Sequence, residues 1–98
     1  MASRAALLVV AGVLAGCGGA PPVATAADAA RAHVALADLE QGRTLMLGKC
    51  SGCHRAPMPA DQSGHDWPHW VGEMTDRAKL EPLQRHLIEQ YLVTMAMH

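Results

Sequence analysis

The sequence has few aromatic residues from which to build a hydrophobic core. Among its 98 residues there is no Phe, one Tyr and two Trp. No alternating β-branched pattern indicates strands, and no phosphate-binding glycine loop or Ser/His/Asp arrangement is visible. We therefore expect an all-α fold. In a domain of about 65 residues, a core this poor in aromatics also needs an additional stabilising link.

The chain also lacks an excess of positive charge. Without Arg4, which lies in the N-terminal leader, seven basic residues face nine acidic ones, a net charge of −2 with the histidines neutral. Binding to phosphate backbones requires a basic surface, so nucleic acid is not an expected partner.

The N-terminus has the pattern of an export signal. Arg4 is followed by an uncharged apolar run over residues 5–15, which is too short to span a bilayer comfortably. The run ends in Leu-Ala-Gly-Cys at residues 14–17, which resembles the bacterial lipoprotein box. The resemblance implies a signal peptide over residues 1–16 and a lipid on Cys17 that anchors the protein to a membrane. Gly18, in place of Asp, implies the outer membrane in a cell that has one. The alternative is a plain signal peptide with an incidental cysteine.

The residues after Cys17 are small and almost uncharged, beginning Gly-Gly-Ala-Pro-Pro. Such a segment buries too little apolar surface to offset the entropy of ordering, so we predict a lipid anchor and flexible tether over residues 17–33. One domain follows over residues 34–98.

The other two cysteines lie in KCSGCH, residues 49–54, where His54 directly follows Cys53. A zinc site, a thioredoxin-like redox pair and a plain disulfide each use paired cysteines. A histidine beside the second cysteine does not match a zinc finger, and a redox pair of the thioredoxin type needs a βαβ scaffold. Cys-x-x-Cys-His in an exported chain is typical of c-type haem attachment. The pattern predicts one covalent haem c bound by Cys50 and Cys53, with His54 as an iron ligand.

Three helices are expected in this domain. Apolar spacing predicts one over residues 35–50, Asp66 and Pro68 indicate the start of a second, and Pro82 indicates the start of a third. Gly42, in the middle of the first helix, costs about 1 kcal/mol relative to Ala, which suggests close approach of another backbone.

These features resemble the class I cytochrome c family, in which a glycine and a large apolar residue precede the first haem cysteine by eight and four positions. Gly42 and Met46 occupy those positions, and Tyr91-Leu92 matches the partner on the last helix. The W…M…L…YL pattern is also similar to small bacterial monohaem cytochromes, including cytochrome subunits of periplasmic molybdenum oxidoreductases. The resemblance implies a bundle of about three helices around the haem.

The second iron ligand is predicted to be Met74. Met46 is expected to pack in the core, Met58 follows His54 too closely to reach the opposite haem face, and Met95 and Met97 lie at a helix end. The alternatives are a core methionine at position 74, or ligation by His65 or His69. His33, His86 and His98 are expected to face solvent. The carbonyl of Pro57 or Pro59 is expected to accept the His54 ring proton.

The function that these expectations imply is single-electron transfer between periplasmic redox proteins, without catalysis. The docking face is expected near Cys50, Met58 and Trp67. One alternative is a haem protein whose sixth site is open or labile, for gas binding or peroxide chemistry. Another is a haem-free copper-handling lipoprotein that uses the cysteines, His54 and the Met95-x-Met97-His98 tail.

Overall fold

The computed structural model describes residues 20–50 and 56–96, and within these ranges it is helical and contains no strand. This confirms the expected all-α class, with four helices where about three were expected. They are α1 (Ala26–Ala32), α2 (Leu36–Cys50), α3 (Trp67–Ala78) and α4 (Pro82–Ala96), with a 3-10 turn (Pro59–Asp61) between α2 and α3. None of the described helices combines the length and apolarity needed to cross a bilayer.

Helices α2 and α4 cross in close contact at Gly42. A Cβ atom placed on Gly42 would collide with the Leu87 carbonyl oxygen, and it would lie 2.8 Å from the Leu87 carbonyl carbon and 3.0 Å from Tyr91 Cβ. Only glycine fits at this point, because two of these three atoms are backbone. The predicted close approach of a second backbone to Gly42 is therefore confirmed.

The core lies between these two helices and α3. On α4, positions 87, 88, 91, 92 and 95 are buried, as the apolar spacing predicts, but Leu83 at its first turn is 66% exposed. The larger buried core side chains are Leu39, Met46 and Cys50 from α2, Trp67 and Val71 from α3, and Ile88, Tyr91, Leu92 and Met95 from α4.

Helix α3 begins at Trp67, next to the residue expected to cap it. Asp66 occupies the N-cap position, and Pro68 lies in the first turn, where its missing N–H costs nothing. The Asp66 carboxylate does not cap the helix. It accepts a hydrogen bond from Ser63 Oγ at 3.0 Å instead. The helix ends at Ala78, and the C-cap residue Lys79 adopts the left-handed conformation (φ 55°).

The described residues correct the expected extent of the tether. Residues 26–32 form helix α1, opened by a capping box between Thr25 and Asp28, and both Asp28 and Ala29 are buried. Alanine has the highest helix propensity, and the capping box satisfies orphan N–H groups, so a segment that looks like a linker in composition folds here. Residues 26–32, expected to belong to the tether, are therefore part of the folded helical structure.

Candidate functional site

Cys50 is the last residue of α2, and its side chain is buried. It follows Leu39, Gly42 and Met46 along the face of α2 that packs on the core, at helical spacing. The Gly42 crossing therefore sets the position of Cys50 relative to α4. Cys53 and His54 lie outside the described residues, as does Cys17.

The 3-10 turn at Pro59–Asp61 is hydrogen-bonded to the first residue of α3. Trp67 is 2% exposed, and its indole Nε1 donates a hydrogen bond to the Pro59 carbonyl at 2.9 Å. This bond satisfies the polar atom of a buried indole and ties the 3-10 turn to α3. The Pro59 carbonyl, one of the two acceptors expected for the His54 ring, thus has a donor already. Pro57 is the other expected acceptor.

Met74 differs from its neighbours on α3. Trp67 and Val71 are buried in the core, and Ala78 packs against it, whereas Met74 is half-buried. Among the described half-buried hydrophobic side chains, Met74 is not one that packs against the core cluster. Met74 is therefore not one of the buried members of the core cluster, and its ligation of iron stays a prediction.

The two histidines considered as alternative iron ligands are both exposed. His65 lies in the turn before α3, and His69 in the first turn of α3. The His69 ring packs edge-on against the Trp70 indole, with centroids 5.6 Å apart and planes at 76°. His33 and His86 are exposed, as expected, and His98 lies outside the described residues.

The remaining methionines occupy distinct environments. Met46 is wholly buried in the core, as expected. Met95 is 4% exposed and belongs to the core, so the expectation of a frayed helix end does not hold for it. Met58 is half-buried and lines a cavity together with Met95. Met97 lies outside the described residues.

Tyr91 is a buried titrating group on α4 whose pKa is raised. Its side chain is wholly buried, and its Oη donates a hydrogen bond to the Pro22 carbonyl at 2.6 Å. Burial raises the pKa of Tyr91 to about 12, against the lowering influence of the nearby Arg43 charge. Sequence spacing gave no signal for this contact, because 69 residues separate Tyr91 from Pro22.

The described residues contain no group of three or more His, Cys, Asp or Glu side chains arranged to hold a metal ion. Cys53 and His54 are not among these residues. Comparison of the chain with protein-family models, with curated proteins and with solved structures gives no match.

Proposed function

We propose that this protein is a monohaem c-type cytochrome that carries single electrons between periplasmic redox partners. The observation that carries the proposal is the α2–α4 crossing at Gly42, eight residues before Cys50. An ordinary helical pair requires no fixed distance between a helix crossing and a Cys-x-x-Cys-His sequence. The crossing, the buried Tyr91-Leu92 pair and the cysteine at the end of α2 occur together here.

The chemistry of the available donors fits a haem. Cys50 and Cys53 would hold it through thioether bonds, and His54 and Met74 would ligate the iron. A bound haem supplies a one-electron iron couple. In this chain, the buried Cys50 would supply one attachment point at the end of α2, and Met74 would supply a thioether from a half-buried position on α3. A neutral sulfur ligand favours reduced iron relative to histidine, which suits an electron carrier.

The proposed docking surface does not include Trp67. Trp67 is buried and cannot contact a partner, whereas Trp70, one turn further along α3, is 43% exposed. We propose a docking face around Trp70 and His69, whose rings are in contact. Exposed aromatics are enriched at protein interfaces, and electron-transfer interfaces are small and transient.

The proposal includes a lipid anchor on Cys17 and a location on the periplasmic side of a membrane. The support for this part is the sequence of residues 1–17, with its uncharged run that ends in Leu-Ala-Gly-Cys. If the cell has an outer membrane, Gly18 favours that membrane.

An optical and redox titration of protein made together with a haem-attachment system tests this function. We expect low-spin spectra in both oxidation states, a single one-electron transition and little binding of carbon monoxide. Met74→Ala should open the sixth site to carbon monoxide and lower the potential. Met58→Ala, which removes another half-buried methionine, should change neither property.

Other outcomes would favour the alternatives. A high-spin oxidised spectrum, with ready carbon monoxide binding in the unmodified protein, would indicate an open sixth site. A Met74→Ala spectrum unchanged from the parent would exclude Met74 as ligand. Colourless protein would favour the copper-handling hypothesis, although the burial of Met95 in the core makes it a poor member of an exposed metal site.

A further inference from the structure

The segment over residues 20–25, here called the strap, is bound to both helices of the central crossing. Arg43 on α2 donates from Nε to the Pro21 carbonyl at 2.9 Å, and Tyr91 on α4 donates from Oη to the Pro22 carbonyl at 2.6 Å. Two consecutive carbonyls are thus held by side chains from two different helices.

Helix α1 holds the other end of the strap. The Asp28 carboxylate accepts hydrogen bonds from the Thr25 backbone N–H at 2.8 Å and from Thr25 Oγ1 at 2.9 Å. Asp28 is 3% exposed and pairs with Arg31 at 3.2 Å, and Arg31 in turn donates to the Thr94 carbonyl at 3.3 Å. A buried, paired carboxylate at this junction fixes where the strap joins the bundle.

The strap lies close in sequence to the proposed lipid attachment point. Only Gly18, Gly19 and Ala20 separate Cys17 from Pro21. Even fully extended, the chain from Cys17 to Pro21 spans at most about 14 Å. This is about half the thickness of the hydrocarbon core of a bilayer, roughly 30 Å. A domain joined to its lipid by so short a connection stays beside the headgroups.

The surface next to the strap suits a lipid interface. Val23 is 64% exposed. Together with Pro22, Met58 and Met95 it lines a cavity of about 380 Å³. Residues 17–25 contain no charged side chain. Asp28 also lines this cavity, but it is already buried and paired with Arg31, so bringing this edge to the membrane exposes no unpaired carboxylate to lipid.

We propose that the strap holds the folded domain against the phospholipid surface in one orientation, with the Pro22–Val23 edge facing the headgroups. This rests on the lipid anchor included in the proposed function. The domain does not swing on a long flexible tether, because the residues that would form most of that tether are bound to α2 and α4.

Photo-crosslinking of the lipidated protein on vesicles of phosphatidylcholine and phosphatidylglycerol tests the proposal. A benzophenone amino acid is placed at Val23 or, as the matched control, at Leu83, which is an equally exposed apolar residue (64% and 66%). We expect about tenfold more lipid adduct at position 23, because the short connection raises the local lipid concentration there. A long Gly-Ser insert between Gly19 and Ala20 should bring the two yields close together.

Equal adduct yields at the two positions in acylated protein would overturn the strap proposal and leave the anchor intact. A preference for position 23 that survives the Gly-Ser insert would also overturn it, because the short connection would then not be the cause. Intact mass is measured on the same samples. A mature chain without acyl groups on Cys17 would overturn the anchor itself and this proposal with it.

Discussion

Substitution of Gly42 by alanine tests the helix crossing on which the account of the fold depends. The added Cβ would meet the Leu87 carbonyl group and, at 3.0 Å, Tyr91 Cβ. Because the Leu87 atoms are backbone, rotation of a side chain cannot relieve the overlap, and α2 and α4 must move apart. Overpacking costs about 1–3 kcal/mol, and these contacts favour the upper end of that range. The better helix propensity of alanine returns at most about 1 kcal/mol.

We therefore expect Gly42→Ala to lower the free energy of unfolding by about 2 kcal/mol. In a domain of this size, that corresponds to a decrease in Tm of roughly 10 °C. Thermal and denaturant unfolding, followed by far-UV circular dichroism, measures both quantities.

The same helix provides a matched control in Gly48. No described atom lies within 4 Å of a Cβ placed there, and the residue is exposed. Gly48→Ala should stabilise the protein by about 0.5–1 kcal/mol, because alanine loses less backbone entropy on folding. If Gly42→Ala is as stable as Gly48→Ala, the close crossing does not exist and the reasoning is refuted.

Three further predictions concern the hydrogen bonds of Tyr91, Trp67 and Thr25. Tyr91 is the only tyrosine, so ultraviolet titration should show its ionisation near pH 12. Folding raises its pKa from 10.0 to about 12. The contribution of protonated Tyr91 to the free energy of unfolding is therefore complete below pH 10 and is lost as the pH rises from 10 to about 12. Ionisation near pH 10 would contradict the burial of Tyr91. Trp67→Phe removes the donor to the Pro59 carbonyl and should cost about 1–3 kcal/mol in denaturant unfolding, whereas no change would show that this bond contributes nothing. Thr25→Ala removes the cap of α1 and should cost about 1 kcal/mol, while Thr25→Ser should restore most of it; equal stability of the two variants would argue against the capping box.

Local signals in the sequence predicted helix positions well. Helix α2 was expected over residues 35–50 and is observed at Leu36–Cys50, and α4 begins at Pro82 as expected. Proline at the start of a helix and apolar spacing at a period of 3.6 are properties of neighbouring residues, so they can be read without knowledge of the fold. Gly42 was identified because glycine destabilises the interior of a helix. Its presence there suggested that a tertiary contact requires it.

Two features were missed, the folding of the strap and the burial of Trp67. The strap looked like a linker because its composition is poor in large apolar residues, yet Arg43 and Tyr91, 22 and 69 residues further along the chain, bind its carbonyls. The Thr25-x-x-Asp28 capping box was the one local signal that could have indicated α1. Trp67 was expected near a docking face, but its indole N–H has a partner within the protein, so it is buried while Trp70 is exposed.

For the candidate site, sequence reasoning supplied the Cys50, Cys53 and His54 motif, and the structure adds the position of Cys50 at the buried end of α2. The choice of Met74 over the other methionines stays a prediction. The packing removes Met46 and Met95, which belong to the core, but Met58 and Met74 are both half-buried. Apolar spacing alone does not distinguish a core methionine from an iron ligand at position 74, since it places Met74 on the same face of the helix as Trp67.

The intact mass of the polypeptide, made in cells with a haem-attachment system, shows whether a haem is covalently attached. We expect the mature chain to carry the added mass of one haem that survives extraction with acidified acetone. Replacing Cys50 and Cys53 together by alanine should abolish the addition. A mature chain whose mass contains no haem, or whose colour is wholly removed by the extraction, would contradict the proposed attachment.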